Sequence, residues 1–147
     1  MDTHLKLLLT DGMDLADPSS FHRLIGCLLY LTVTRPDITY AVNYLSQFMQ
    51  HPGNAHLDAA HRVLHYLKGT IRHVIFLSSA SYLSLHGYTD FDWAGCPLTR
   101  RSTTGYFVTI GDSPISWKSK KQPTVARSST EAEYRALVNL TAELQWL

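Results

Sequence analysis

The chain has 147 residues, of which 45% are hydrophobic, and a formal net charge of +1. This composition is enough to bury a core, which argues against a disordered chain, and the length suits one domain or two small units. The net charge gives no global indication of a nucleic-acid partner. The two cysteines are too few for a disulfide scaffold, so we expect an intracellular protein with Cys27 as a small core residue.

No membrane or targeting segment is expected. The apolar run Leu24–Val33 is shorter than the roughly 20 residues that span a bilayer. The run Leu7–Leu9 is too brief for the core of a signal peptide, and Asp11 follows it closely.

The first half of the chain predicts helices. Residues 1–16 have no period and carry scattered aspartates, so we expect an extended arm there. Three apolar stripes at the helical period then predict a small helical unit over residues 17–73. The three helices are predicted to start at Asp17-Pro18, at Arg35-Pro36-Asp37 and near Asn54.

A histidine pair on the third predicted helix has the spacing of a zinc motif. His61 and His65 are four residues apart, as in H-E-x-x-H, but Arg62 stands where the motif has glutamate. No third ligand is evident, so we favour a solvated or interfacial role over a metal role.

The spacing of apolar residues changes near Val74 from the helical period of 3.6 to the strand period of 2. This change predicts strands in the second half of the chain, residues 74–147. Val74–Leu77 is predicted to be a short strand or edge segment. Alternation from Tyr82 onward predicts a strand with Asp90 and Asp92 on one face, unless the strand ends between them. Two more strands, Thr103–Ile110 and Ile115–Lys118, complete an antiparallel meander.

A helix with two contrasting glutamates follows the strands. Ser128 and Glu131 have the spacing of a capping box, and Glu131 is also four residues before Arg135. The stripe Leu137, Leu140 and Leu144, extended back by four residues, reaches Glu133. Glu133 is then either a buried carboxylate in need of a partner, such as a metal, or an exposed residue beyond the end of the stripe.

The segment between residues 96 and 127 is locally basic, with six basic residues against one acidic residue. Its cations are candidates for contacts with nucleic-acid phosphates, with a solvated loop as the alternative. The candidate residues are Arg100, Arg101, Lys118, Lys120 and Lys121.

Six segments of the chain form a recognisable series: Leu31–Ile38, Leu67–Thr70, Asp90–Gly95, Arg100–Gly105, Ile115–Gln122 and Ser128–Leu137. The last four together closely resemble the ribonuclease H domain of Copia-type retrotransposon Pol polyproteins. The first two resemble the segment that joins reverse transcriptase to that domain, so the resemblance covers nearly the whole chain.

The resemblance implies an α+β fold, in which a small helical unit precedes a truncated ribonuclease H-like fold of a three-stranded antiparallel meander plus one helix. It implies two-metal hydrolysis of RNA in RNA–DNA hybrids, with Mg²⁺ held by Asp90 and Glu133 and with Asp92 as a substitute for Asp90. Other Pol segments are implied as partners.

The sequence also departs from the family pattern. Phe91 replaces a small residue between the two aspartates, and Cys96-Pro97-Leu98-Thr99 stands where acidic residues are common. The family's later carboxylates follow this helix and are not found here. We therefore expect an inactive ribonuclease H-like fragment, with a non-catalytic nucleic-acid-binding remnant or a transposon relic as the alternatives.

Overall fold

The computed structural model describes residue 7 and residues 12–147, and most of the predicted arm, residues 1–16, lies outside these described residues. The chain divides into two compact units, Met1–Val74 and Ile75–Leu147. Among the described residues, no helix combines the length and the apolar character that a bilayer crossing needs.

The first unit is helical. Asp17 caps the first helix, since its carboxylate accepts a hydrogen bond of 3.0 Å from the Ser19 N–H, and Pro18 follows at the first helical position. The unit contains α1 (Pro18–Leu31), α2 (Thr39–Leu45, flanked by 3₁₀ turns Pro36–Ile38 and Ser46–Phe48) and α3 (Asn54–Gly69).

The apolar stripes of these helices meet in one core, with Phe21, Ile25, Val42 and Leu45 fully buried. The prediction that Cys27 belongs to this core was wrong: it is exposed, because it follows Ile25 by two residues and therefore lies on another side of α1.

Buried His56 takes part in the same core. Its ring stacks on Phe48 with 4.0 Å between ring centroids, and its Nδ1 accepts the Gly53 N–H at 2.8 Å. This bond satisfies one of the unpaired donors at the start of α3. The zinc-spaced His61 and His65 are both exposed.

The second unit begins its regular structure with a three-stranded antiparallel sheet in the order β1-β2-β3. The strands are β1 (Leu85–Phe91), β2 (Thr103–Ile110) and β3 (Ser113–Lys121). Val74–Leu77 is not a strand, so that prediction was wrong: an apolar run forms a strand only where a neighbour accepts its backbone hydrogen bonds, and the segment pairs with none of the described strands.

The helix α4 (Ser129–Trp146) packs on one face of this sheet through Ala132, Ala136 and Leu140. The predicted stripe Leu137, Leu140 and Leu144 was right at Leu140, which is buried, and wrong at Leu137, which is 42% exposed. Two alanines in the buried stripe let the helix backbone approach the sheet closely, and Gly87 of β1 makes room for it. A methyl group on Gly87 would lie 2.9 Å from Leu140 Cδ1.

Candidate functional site

The two aspartates of the candidate site serve different purposes at the end of β1. Asp90 is the penultimate residue of the strand, pairs with Gly105 and is exposed. Asp92 lies beyond the strand end: its N–H donates to the Thr103 carbonyl at 3.0 Å, and its carboxylate accepts the Thr103 N–H. The strand thus ends between the aspartates, and Asp92 is used to close the end of the β1–β2 ladder.

Hydrogen bonds fix the loop that joins β1 to β2. The fully buried Ser102 hydroxyl accepts the Ala94 N–H at 3.0 Å, and the Cys96 N–H donates to the Arg101 carbonyl at 3.2 Å. Ala94 and Arg100 both have a φ of 52°. The exposed Arg100 and Arg101 are therefore held on a well-defined turn.

The two glutamates of α4 also differ. Glu131 accepts the Arg127 N–H at 2.7 Å and forms a 2.6 Å ion pair with Arg135, while its own N–H donates to the Ser128 hydroxyl at 3.1 Å. The bond from the Arg127 N–H, with help from Arg135, lowers the pKa of Glu131. Glu131 therefore has the structural role predicted for it.

Glu133 is exposed, which decides between the two alternatives left open by the sequence. The buried stripe of α4 runs through Ala132 and Ala136, so Glu133 lies beside it and not within it. The argument from a buried carboxylate therefore does not apply, and only the resemblance supports Glu133 as a metal ligand.

The sheet geometry constrains how Asp90 can meet Glu133. Gly87 lies against Leu140 and Leu144 of α4, and Asp90 is three residues further along an unbroken strand. Successive side chains of a strand point to opposite faces of the sheet, so the Asp90 side chain leaves β1 on the face opposite to α4. Their convergence stays a prediction, and it requires the Asp90 carboxylate to reach around the end of β1.

The described residues do not build a two-magnesium centre by themselves. Mg²⁺ prefers several oxygen ligands in octahedral geometry. The carboxylates of Asp90 and Glu133 have no hydrogen bond or ion pair with any described residue, so both are available, but Asp92 and Glu131 are engaged. Within the described part of the chain, no group of three or more acidic, histidine or cysteine side chains is placed to hold a metal ion.

A cysteine–lysine contact that the sequence did not predict links the β1–β2 loop to the last residue of β3. The Lys121 Nζ is 2.9 Å from the sulfur of Cys96, which is 6% exposed. Burial raises the pKa of the Cys96 thiol, but hydrogen bonds from Lys121 and from Thr99 and Leu98 outweigh burial and lower this pKa to about 7. Cys96 and Lys121 are 25 positions apart in the chain, so no local sequence pattern indicates this pair.

All three predicted phosphate-binding lysines, Lys118, Lys120 and Lys121, line a cleft. Lys118 and Lys120 are exposed and line a cavity of about 660 Å³ between β3 and the last turns of α4. Trp146, which is 81% exposed, lies on the helix side. The Glu143 carboxylate on the same side accepts the Ser116 hydroxyl at 2.6 Å, which ties the helix to the strand.

Gln122 also lines this cleft, and sequence reasoning did not single it out. Its amide nitrogen donates to the Thr104 hydroxyl at 2.9 Å and to the Ala132 carbonyl at 3.0 Å. It therefore joins the end of the sheet to the first turn of α4. Its signals in the sequence are its position directly after the third strand and its place at the end of the matching segment Ile115–Gln122.

The comparisons with known proteins find relatives that include two transposon polyproteins of one plant. The chain is 54% identical over 142 residues, 97% of its length, to the retrovirus-related Pol polyprotein from transposon RE1 of Arabidopsis thaliana. It is 53% identical over its whole length to the corresponding polyprotein from transposon RE2 of the same plant. It spans about 10% of each polyprotein.

A shorter relative is the uncharacterized mitochondrial protein AtMg00810 of Arabidopsis thaliana, which is 51% identical over 99% of this chain and 62% of its own length. No family model and no solved structure matches the chain. The identity to RE1 and RE2 nevertheless extends through both units. The chain belongs to the family of retrovirus-related Pol polyproteins of Copia-type transposons.

Proposed function

We propose that the second unit is a ribonuclease H-like segment of a Copia-type Pol polyprotein, and that the chain by itself does not cleave RNA–DNA hybrids. The observation that carries the proposal is the element order, an antiparallel meander followed directly by a capped helix. The carboxylates that the resemblance implies as metal ligands, Asp90 and Glu133, lie in β1 and α4. Other Pol segments are the natural partners of such a segment.

The expected inactivity follows from the small number of carboxylates that are available to bind metal ions. Two-metal hydrolysis holds two divalent ions about 4 Å apart, which requires several negatively charged oxygens. Asp90 and Glu133 supply two carboxylates, and the hydrogen bond from Thr103 engages that of Asp92. Magnesium, when bound, would supply the activated water and stabilise the leaving oxygen, whereas this chain's part is limited to holding one side of the site.

Cleavage of a labelled RNA–DNA hybrid in magnesium buffer tests the proposal. We expect the purified chain to leave the RNA strand intact, as in a control without protein. The matched variant is Asp90→Asn, which keeps the size of the side chain and removes its charge. Magnesium-dependent cleavage that disappears in Asp90→Asn would contradict the expected inactivity.

A fusion protein tests whether this chain can contribute to ribonuclease H activity. The chain would be joined to the segment that follows the matching region in the RE1 polyprotein. We expect the fusion to gain hybrid cleavage and to lose it in Asp90→Asn or Glu133→Gln. A folded fusion that stays inactive, or whose activity survives both substitutions, would argue against the ribonuclease H assignment.

The cleft beside β3 favours a second candidate, non-catalytic binding of single-stranded nucleic acid. Lys118 and Lys120 are two residues apart on one face of β3, so both ammonium groups face the same side. The exposed indole of Trp146 offers a surface on which a base can stack. Lys121 contributes less, because its ammonium contacts Cys96.

Fluorescence anisotropy with a labelled oligonucleotide tests this candidate. We expect binding that weakens with salt, and each lost phosphate contact should reduce the logarithmic salt slope by about 0.7. Lys118→Ala and Lys120→Ala should reduce the slope, whereas Lys68→Ala, an exposed lysine of α3, should not. Equal effects of all three substitutions would indicate that only the total charge matters.

A further inference from the structure

We propose that hydrogen peroxide converts the contact between Cys96 and Lys121 into a covalent sulfur–nitrogen bond, in which Lys121 captures the oxidised sulfur. The proposal does not depend on the proposed function, because it rests on a contact inside the second unit. The Lys121 Nζ lies 2.9 Å from the Cys96 sulfur. Atoms held within about 3–3.5 Å of each other are positioned to react, so the folded chain already places this pair for bond formation.

The backbone holds both members of the pair in place. The Cys96 N–H donates to the Arg101 carbonyl at 3.2 Å, and the Cys96 carbonyl accepts the Arg100 N–H at 2.9 Å. Lys121 is the last residue of β3 and pairs with Thr103 of β2. The contact therefore joins two fixed points of the fold, and oxidation does not have to bring them together.

The surroundings of the sulfur favour the thiolate, which is the form of cysteine that attacks peroxide. Burial raises the pKa of Cys96, but hydrogen bonds from Lys121, Thr99 and Leu98 converge on the sulfur and lower this pKa to about 7. At pH 7 about half of the Cys96 side chains are therefore thiolates, compared with about 1% for a thiol at the ordinary pKa of 9.0.

Partial burial determines which molecules reach the sulfur. Cys96 is 6% exposed, whereas its neighbours Gly95 and Pro97 are exposed. Hydrogen peroxide is small enough to enter through a narrow opening, but the thiol of a second protein chain has to approach the sulfur directly. Capture by Lys121, which is already in contact, is therefore favoured over an intermolecular disulfide.

The reaction balances with one molecule of hydrogen peroxide. In the first step the Cys96 thiolate attacks a peroxide oxygen: an S–O bond forms, the O–O bond breaks, and sulfur passes two electrons to the peroxide. The departing hydroxide takes a proton from the Lys121 ammonium, which gives water, a sulfenic acid and a neutral amine. In the second step the amine nitrogen attacks sulfur, the S–O bond breaks, and the hydroxyl group leaves with an amine proton as a second water.

The new bond would change both the charge and the connectivity of the second unit. It removes the cation of Lys121 and closes a covalent loop over residues 96–121, which contain the whole of β2 and β3. A covalent loop restricts the unfolded chain, so the oxidised chain should unfold at a higher urea concentration. Dithiothreitol attacks the sulfur and should restore both side chains and the original urea midpoint.

Mass spectrometry of the full chain after treatment with hydrogen peroxide tests the proposal. In a Cys27→Ser parent chain, which lacks the exposed thiol, we expect a product about 2 Da lighter, because the reaction as a whole removes two hydrogen atoms. Trypsin should no longer cleave between Lys121 and Gln122, and the peptides that contain Cys96 and Lys121 should be joined. Dithiothreitol should separate these peptides again.

The matched variant is Lys121→Arg in the same parent chain. A guanidinium keeps the positive charge but stays protonated, so it cannot act as the amine nucleophile. We expect Cys96 in this variant to gain about 16 or 32 Da of oxygen without forming a cross-link. Lys120→Arg changes the neighbouring exposed lysine and should form the cross-link in the same yield as the parent chain.

The proposal would be overturned if Cys96 stayed a free thiol at a peroxide concentration that oxidises Cys27 of the wild-type chain. It would also be overturned if Cys96 of the parent chain gained oxygen while trypsin still cleaved after Lys121, or if the cross-link persisted in Lys121→Arg. A joined product about 14 Da heavier would hold an oxygen between sulfur and nitrogen and would overturn the direct bond. The peptide map of the parent chain identifies the linked amine by itself, so the test does not require Lys121→Arg to fold.

Discussion

At the residue scale, the four carboxylates of two short motifs, each with two acidic residues two positions apart, have separate uses. The carboxylates of Asp92 and Glu131 accept backbone N–H groups, whereas those of Asp90 and Glu133 are exposed and have no hydrogen bond with a described residue. Each engaged carboxylate lies at the end of an element, where backbone donors lack partners. The spacing of Ser128 and Glu131 in the sequence predicted the capping role of Glu131. The role of Asp92 at the end of the β1–β2 ladder could be assigned only from the structure, in which β1 ends at Phe91.

The Cys96–Lys121 contact gives a prediction for pH dependence. The pKa of Cys96 is lowered from 9.0 to about 7 in the folded chain, so its contribution to stability is fully present above pH 9 and is lost as pH falls toward 7. The difference in unfolding free energy between the wild type and Cys96→Ala should therefore rise by about 2 kcal/mol from pH 7 to pH 9. Urea unfolding at the two pH values measures this difference.

Cys27 offers the matched control for this experiment. It is exposed, so Cys27→Ala removes a thiol without opening a buried site, and the rise of about 2 kcal/mol from pH 7 to pH 9 is expected for Cys96→Ala. A Cys96→Ala difference that stays constant, or that falls as pH rises, would mean that the thiolate is not stabilised by Lys121.

At the element scale, a network around Arg35 explains why two separate motifs of the first unit occur together. The guanidinium forms two bonds with Asp37, of 2.9 and 2.7 Å, and two with Thr70, of 3.1 and 2.8 Å. Tyr66 donates to the same Asp37 carboxylate at 2.9 Å. The turn before α2 is thereby fastened to the end of α3. These bonds, above all those from Arg35, lower the pKa of Asp37.

Arg35→Ala should destabilise the first unit by about 3 kcal/mol, because it removes the two guanidinium bonds to Asp37 and leaves the Thr70 carbonyl without the Arg35 donor. Arg35→Lys should recover only part of the loss, since an ammonium cannot make the paired bonds of a guanidinium. The measurement is urea unfolding. Arg62→Ala, at an exposed arginine of α3, is the control and should change stability by no more than about 0.5 kcal/mol. Equal effects at Arg35 and Arg62 would refute the role of the network.

The packing of α4 on the sheet gives a second prediction at this scale. A methyl group on Gly87 would lie 2.9 Å from Leu140 Cδ1, whereas one on Gly105 would have only the Lys118 carbonyl within reach, at 3.8 Å. Gly87→Ala should therefore be less stable than Gly105→Ala by about 1–2 kcal/mol. Thermal unfolding of the two variants measures the difference, and a more stable Gly87→Ala would show that the helix lies further from β1.

At the scale of the whole molecule, an exposed segment joins the two units. Residues 73–78 have no regular secondary structure, and Val74, Phe76 and Leu77 are 82%, 76% and 65% exposed. Apolar side chains on an irregular, exposed backbone are favourable sites for a protease.

Limited digestion with chymotrypsin should therefore cut first at Phe76 or Leu77 and release two fragments that resist further digestion. Phe21, which is fully buried in the first unit, should be cut only after unfolding. The fragments are identified by mass spectrometry. Phe76→Ser with Leu77→Ser should slow the first cut, and early cleavage within α1–α3 would contradict the division into units.

The sequence by itself determined the element types, most of their positions and the family. The apolar period of a helix or a strand is a property of residues that are close in sequence. The local pattern therefore predicted α1, α3, β2 and the cap of α4. The mixed α+β class and the three-stranded antiparallel sheet are confirmed.

Only the tertiary structure decided which side of α4 is buried. The buried stripe of α4 passes through Ala132 and Ala136 and leaves Glu133 exposed, because small residues fit where helix and sheet backbones approach. The Cys96–Lys121 contact likewise depends on two residues that the fold brings together from distant positions. No local period carries that information, because contact between elements is set by their packing and not by their sequence spacing.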